Sequence, residues 1–149
     1  MSKKKNNIIY SVVNDPKQMR DVFSLRFEVF VNEQNVPPEM EIDEFDNVAI
    51  HVVAYVSNTI LACGRVYKIH DIAKIGRIAV KKKYRELGIG KMIMQKLLGE
   101  CYAMNVSYVE LNAQVEAIPF YEKFGFQKRG DIFDDAGIPH IKMFLKIGE

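Results

Sequence analysis

Tryptophan is absent from this 149-residue sequence, and cysteine occurs only twice, at Cys63 and Cys101. Each cysteine lies in an apolar stretch with no second Cys or His at metal-ligand spacing, so neither a disulfide framework nor a zinc site is indicated. Charge of one sign is also missing: 21 basic against 19 acidic residues give a formal net charge of +2. Without a strong basic excess or a base-reading motif, nucleic acid is not an expected partner. No apolar run reaches membrane length, and Lys3-Lys4-Lys5 leads into Ile8-Ile9-Tyr10 without a signal-peptide core. A cytoplasmic protein without a membrane partner is expected, its lysine run a solvated end.

What is present is a 48% hydrophobic composition over a length that suits one ordinary core, so residues 1–149 are expected to form a single domain. Ile8 to Val13 is β-branched enough for a strand. Asp15-Pro16 then offers an N-cap carboxylate followed by proline at the first helical position. Met19, Val22, Phe23, Phe27 and Phe30 recur at helical spacing, which predicts a helix from Asp15 to Val31. From Asn32 to Asn47, Pro37-Pro38 and the acids Glu33, Glu39, Glu41, Asp43, Glu44 and Asp46 predict an acidic loop.

Ala49 to Val56 and Ile60 to Ile69 flank Ser57-Asn58-Thr59 and read as an antiparallel hairpin. Lys74 to Val80 is the next strand. Ile89, Ile93, Leu97, Cys101 and Met104 then keep helical spacing to Asn105. A strand from Tyr108 to Ala113, a short helix from Ile118 to Phe124 closed by Gly125, and strands at Phe126 to Lys128 and His140 to Lys146 complete the chain. The order β-α-β-β-β-α-β-α-β-β predicts an α/β sandwich around a mixed sheet.

The sharpest motif is Arg85-Glu86-Leu87-Gly88-Ile89-Gly90, between an apolar strand and a long helix. Free backbone N–H groups and the helix dipole favour an anion there, and the glycines let phosphate oxygens approach the backbone. Arg85 and Lys91 can add positive charge. The bland alternative is a glycine-rich helix start with no ligand. Lys81-Lys82-Lys83 can likewise meet a phosphate, although most charge runs are solvated faces. Met92, Met94 and Met104 read as packing residues.

This six-residue loop after Lys74-Ile75-Gly76-Arg77-Ile78-Ala79-Val80, with Asn112-Ala113-Gln114 and Phe120-Tyr121-Glu122-Lys123-Phe124-Gly125-Phe126 downstream, resembles the Gcn5-related N-acetyltransferase (GNAT) superfamily. Within it, Arg26 to Gln34, Asp43, Asp46, His51 and Gly137-Ile138-Pro139-His140 look most like small bacterial proteins of the ElaA/YjcF type. The resemblance implies a mostly antiparallel central sheet with helices on both faces and a splay between the fourth and fifth strands. It implies acetyl-CoA as acetyl donor, an amine acceptor and no metal.

By that resemblance, the backbone of Ile78, Ala79 and Val80 pairs with the pantetheine arm like an added strand, and an N–H near Val80 polarises the thioester. Arg85, Glu86, Leu87, Gly88, Ile89, Gly90 and Lys91 hold the pyrophosphate, and Asn112 touches the arm. Tyr121 stands where the family often has its general acid: a phenol of reference pKa about 10 can protonate a departing thiolate of about 8.5. Its alternative is core packing beside Phe120 and Phe124. Candidate bases for the amine are Glu33, Asp43, Asp46, His51 and His140; Glu33 can instead be solvated or pair with Arg26. The acidic loop suggests a cationic small-molecule acceptor. Arg26, Phe30 and Glu41-x-Asp43-x-x-Asp46 also resemble acyl-homoserine lactone synthases, which share the fold, and a non-catalytic CoA-binding sensor is a third reading. Monomer and homodimer both remain open.

Overall fold

A computed structural model describes residues 7–148, so the lysine run lies outside the described residues. Strand β1 (Ile9–Val12) leads to helix α1 (Pro16–Arg26), which continues as π-helical turns over Phe27–Glu33. A short helix α2 (Pro38–Glu41) and a 3₁₀ turn (Glu44–Asn47) precede strands β2 (Ile50–Val56), β3 (Thr59–Ile69) and β4 (Ile72–Val80). Helix α3 (Ile89–Ala103), strand β5 (Tyr108–Gln114), helix α4 (Ile118–Glu122) and the hairpin β6 (Gln127–Asp135) and β7 (Ile138–Lys146) follow. The strands form one sheet in the order β1-β2-β3-β4-β5-β7-β6. Every neighbouring pair is antiparallel except β4 and β5. The expected α/β architecture, with helices on both faces, is what the chain adopts.

Helix α3 buries Ile89, Ile93, Met94, Leu97 and Cys101 against Val66, Ala73, Ile75, Val109, Leu111 and Met143 of one sheet face. Gly64 allows this approach: a Cβ there would stand 2.8 Å from Leu97 Cδ1. On the opposite face α1 sets Val22 and Leu25, with Val29 beyond them, on Val53, Ile60, Cys63 and Ala79. Asp15 caps α1 by accepting from the Gln18 N–H at 2.7 Å, as its sequence position predicts.

Three boundaries differ from expectation. The first long helix changes to π geometry at Phe27, where the Gln34 N–H reaches back to the Val29 carbonyl at 3.2 Å. The wider turn shifts the phase of the positions that follow. Phe27, expected inward, is 48% exposed, while Arg26, outside the apolar pattern, is fully buried. The expected loop over 32–47 contains α2, because Pro38 sits at a helix's first position, where its missing N–H costs nothing. It also contains the 3₁₀ turn, closed by a reciprocal Asp43–Asp46 capping box. The last two strands are longer than their apolar cores suggest, meeting at Ala136-Gly137 with φ of 54° and 82°, the conformation of a tight two-residue hairpin turn. Among the described residues, no helix is long and apolar enough to cross a membrane.

Candidate active site

Strands β4 and β5 pair only from Ile72↔Tyr108 to Lys74↔Glu110 and then part, although β4 runs on to Val80 and β5 to Gln114. The parting opens a cleft of about 620 Å³ whose lining includes Gly76, Ile78, Val80, Gly90, Asn112, Tyr121 and His140. This is the splay expected between the fourth and fifth strands.

The side chains of Ile78 and Val80 pack toward α3 and that of Ala79 toward α1, leaving their backbone as the feature presented to the cleft. The Lys81 N–H bonds to the Leu61 carbonyl of β3 at 2.8 Å. Strand alternation therefore turns the N–H and C=O of Val80 to the other edge, where β5 has already departed. A bulge on β4, with Arg77 at φ 53°, adds to the departure from a regular ladder.

At the top of the cleft, Gly88 is the N-cap of α3 with φ 83°, in open space and without a side-chain cap. The first intrahelical bond runs from the Met92 N–H to the Gly88 carbonyl, so the amides of Ile89, Gly90 and Lys91 have no acceptor within the helix. Glu86, at φ 66°, and Leu87 and Lys91 are exposed around them. Such a terminus suits phosphate oxygens. Arg85 is placed differently from expectation: its Nε donates to the Val80 carbonyl at 2.8 Å and its Nη2 bonds both carboxylate oxygens of Glu33. Its Nε and Nη2 are thus engaged within the protein, and Glu33 is an ion-pair partner of Arg85 rather than of Arg26. Of the lysine run, Lys82 and Lys83 are exposed, and Lys83 lies over the Tyr84 ring.

Tyr121 lines the cleft with its ring edge-on to Phe120 (5.1 Å between centroids) and to Phe126 (6.2 Å). Burial pushes its phenol up to about 12, so it is a neutral donor at any ordinary pH. Packing and cleft exposure coexist in this one residue.

His140, also on the cleft, places Nδ1 2.7 Å from the Ile138 carbonyl. A carbonyl oxygen can only accept, so Nδ1 carries the hydrogen and the neutral ring keeps its lone pair on Nε2. His51 is different: it is buried away from the cleft, with Nε2 3.0 Å from the Asp46 carbonyl, and burial holds its pKa below the ordinary value. Asp46 is buried too. Burial alone would raise its carboxyl, but hydrogen bonds from Arg26 (2.7 Å) and Arg65 (2.8 Å) hold it well below the usual range. Asp43 reaches the cleft but is likewise lowered against the effect of burial by Arg65, at 2.7 and 2.9 Å, and by Arg77. Of the five candidate bases, His140 alone combines a cleft position with no carboxylate–arginine pairing.

The acidic loop is thereby corrected as a source of free negative charge. Glu33 is paired with Arg85, Glu41 with Arg26 and Arg77, Asp43 with Arg65 and Arg77, and Asp46 with Arg26 and Arg65; among the described residues only Glu39 and Glu44 of the six acids lack an ion pair. Sequence reasoning named Arg26 and Arg77 only within motifs and missed Arg65 altogether, because each lies in an apolar stretch that gives no sign of their joint pairing with Glu41, Asp43 and Asp46. It also missed Gln34 and Gln114, whose side-chain amides bond at 2.9 Å between the π-helical segment and β5. Among the described residues, no group of three or more His, Cys, Asp or Glu is arranged to hold a metal ion.

Comparisons with known proteins agree with this geometry. A family model described as an acetyltransferase (GNAT) domain matches residues 13–147. An uncharacterized N-acetyltransferase of Bacillus subtilis, YjcF, is 41% identical over 133 residues, covering 89% of this chain and 95% of its own. The crystal structure of Escherichia coli ElaA superposes with a TM-score of 0.84 at 29% identity, over 92% of this chain and 98% of that one. A GNAT family acetyltransferase from Elizabethkingia anophelis, solved with acetyl-CoA bound, matches with a TM-score of 0.70 over 95% of this chain and 99% of that one; at 15% identity it speaks for the fold alone.

Proposed function

The chain belongs to the GNAT acetyltransferase family, and from that premise we propose that residues 1–149 act as one N-acetyltransferase domain moving acetyl from acetyl-CoA to an amine. The observation that carries the reading is the open β4 edge running up to the uncapped amides of α3. An extended arm fits the first by backbone pairing, and a pyrophosphate fits the second. Open space beside Gly88 is consistent with both.

In this reading Ile78, Ala79 and Val80 offer backbone groups to the pantetheine arm, Asn112 borders it from β5, and residues 85–91 surround the pyrophosphate. Arg85 fixes the Val80 carbonyl and the loop, and its guanidinium adds positive charge beside the pyrophosphate. Acetyl-CoA supplies an acyl group activated as a thioester. The Val80 N–H is aimed where negative charge grows on the carbonyl oxygen. The nucleophilic amine must be neutral, so Nε2 of His140 takes the proton of the incoming ammonium, directly or through one water. The C–N bond then forms as the C–S bond breaks; Tyr121 donates its phenolic proton to the departing sulfur and regains one as the amide nitrogen loses its excess proton. One ammonium and one thioester become one amide, one thiol and one proton released to solvent. The high pKa of Tyr121 keeps it protonated until a thiolate, itself desolvated in the cleft, creates the demand.

Calorimetry with acetyl-CoA tests the donor half. Tight binding by the wild type, lost in a folded Gly88→Glu variant whose side chain would enter the anion site, supports the reading. No binding by the folded wild type overturns it; binding without transfer to any amine would favour a CoA sensor instead.

A further inference from the structure

Helix α1 and its π-helical extension cover only part of their sheet face. On the part left open, β3 presents Arg65 and Tyr67, β4 their cross-strand partners Gly76 and Lys74, and β5 Glu110, Asn112 and Gln114. Arg65, Tyr67 and Lys74 all line the cleft below the parted strands.

The charges here are unequally matched. Glu41, Asp43 and Asp46 are taken by Arg26, Arg65 and Arg77. Lys74 and Lys142, by contrast, share the single carboxylate of Glu110, at 3.3 and 3.8 Å. Among the described residues, one ammonium charge is left over. On the adjacent strand, the Nε of Arg65 is buried without a hydrogen-bond partner among the described residues, although the other nitrogens of that guanidinium hold Asp43 and Asp46. A buried donor left unpaired is unfavourable, and an oxygen brought in by a ligand would remove the penalty. Next to both cations, Phe45 and Tyr67 stack with centroids 4.4 Å apart and planes within 7°, giving the cleft an apolar wall. Across the cleft, Asp135, at the end of β6, lies exposed with no ion pair among the described residues and joins His140 on the lining.

We propose that the acceptor is a zwitterionic amine of amino-acid type with an apolar side chain, its carboxylate held by Lys74 and the Arg65 Nε. The side chain rests on the Phe45–Tyr67 pair, and the ammonium faces Asp135 and His140. This deepens the acetyl-transfer reading and rests on it. It also replaces the purely cationic acceptor that the acidic loop suggested, since those acids are occupied by arginines.

The test compares phenylalanine and leucine with their decarboxylated counterparts, phenethylamine and isoamylamine, as acceptors, with acetyl-CoA binding measured on the same samples. The amino acids should be preferred by about tenfold or more in kcat/KM, the worth of one charge-assisted hydrogen bond. Lys74→Gln should raise KM for the amino acids by a similar factor while leaving KM for the plain amines and the acetyl-CoA affinity unchanged, and Lys74→Arg should restore most of the preference. Calorimetry with N-acetylphenylalanine, bound more weakly by Lys74→Gln than by wild type, gives the same answer without turnover. Equal or better use of the plain amines, equal effects of Lys74→Gln on both classes, or no turnover of either amino acid by protein that binds acetyl-CoA would overturn the proposal. Protein that fails to bind acetyl-CoA would instead remove the acetyl-transfer reading itself.

Discussion

Arg85 and Glu33, 52 positions apart in sequence, meet in a two-point ion pair that ties the glycine loop to the π-helical segment. Both side chains are partly exposed, so the pair is worth about 0–1 kcal/mol. Glu33→Gln is therefore expected to lower stability by no more than about 1 kcal/mol and turnover by only a few-fold. A base, in contrast, would cost about 10²–10⁴-fold. Steady-state rates with chemical denaturation of the variant decide between them, and a loss in the larger range would return Glu33 to the list of bases.

His140 is expected to behave otherwise. His140→Gln keeps a polar side chain of similar reach but no basic nitrogen, and turnover should fall by about 10²-fold or more with acetyl-CoA affinity unchanged. Steady-state rates paired with calorimetry check this. An active His140→Gln enzyme would leave amine deprotonation to solvent.

Tyr121→Phe should reduce turnover while acetyl-CoA binds as before, since only the hydroxyl is removed from a ring that keeps its contacts with Phe120 and Phe126. It has a second consequence in alkali. The folded state holds the phenol at about 12 against 10 when unfolded, so its contribution is complete below pH 10 and is lost as pH rises toward 12. That loss is about 2–3 kcal/mol, at 1.36 kcal/mol per pKa unit. Denaturation curves at pH 8 and 11.5 should show the variant losing less stability than the wild type over that interval.

Asp46 has the opposite sign. Its carboxyl is held below its unfolded value, so the stability it contributes is present above about pH 4 and is lost as pH falls further. Asp46→Asn leaves Arg26 and Arg65 buried beside a neutral amide and should cost about 3–5 kcal/mol at pH 7. Urea denaturation against pH should show the gap between variant and wild type narrowing below pH 4; a gap that does not change with pH would remove Asp46 as the titrating group.

The order of the strands and of the two long helices, the amphipathic α3, the Asp15 cap and the glycine loop were all legible in the sequence, because each rests on local periodicity or on a residue's own backbone preference. The family was legible for the same reason: the six residues from Arg85 to Gly90 are contiguous, as are Asn112 to Gln114 and Phe120 to Phe126. Which charges are free follows from contacts between distant segments. Glu33, Asp43 and Asp46 look alike along the chain, yet each is occupied by an arginine 19 or more positions away, and ion pairs of that range leave no local signature. The same holds for the place of His140 on the cleft, although its Nδ1 bond to the Ile138 carbonyl is local, and for the π-helical turns, where tertiary burial of Arg26 coincides with a departure from the helical period. Local chemistry wrote the fold into the sequence, while the site was made by long-range pairing across β3, β4 and the segment that covers them.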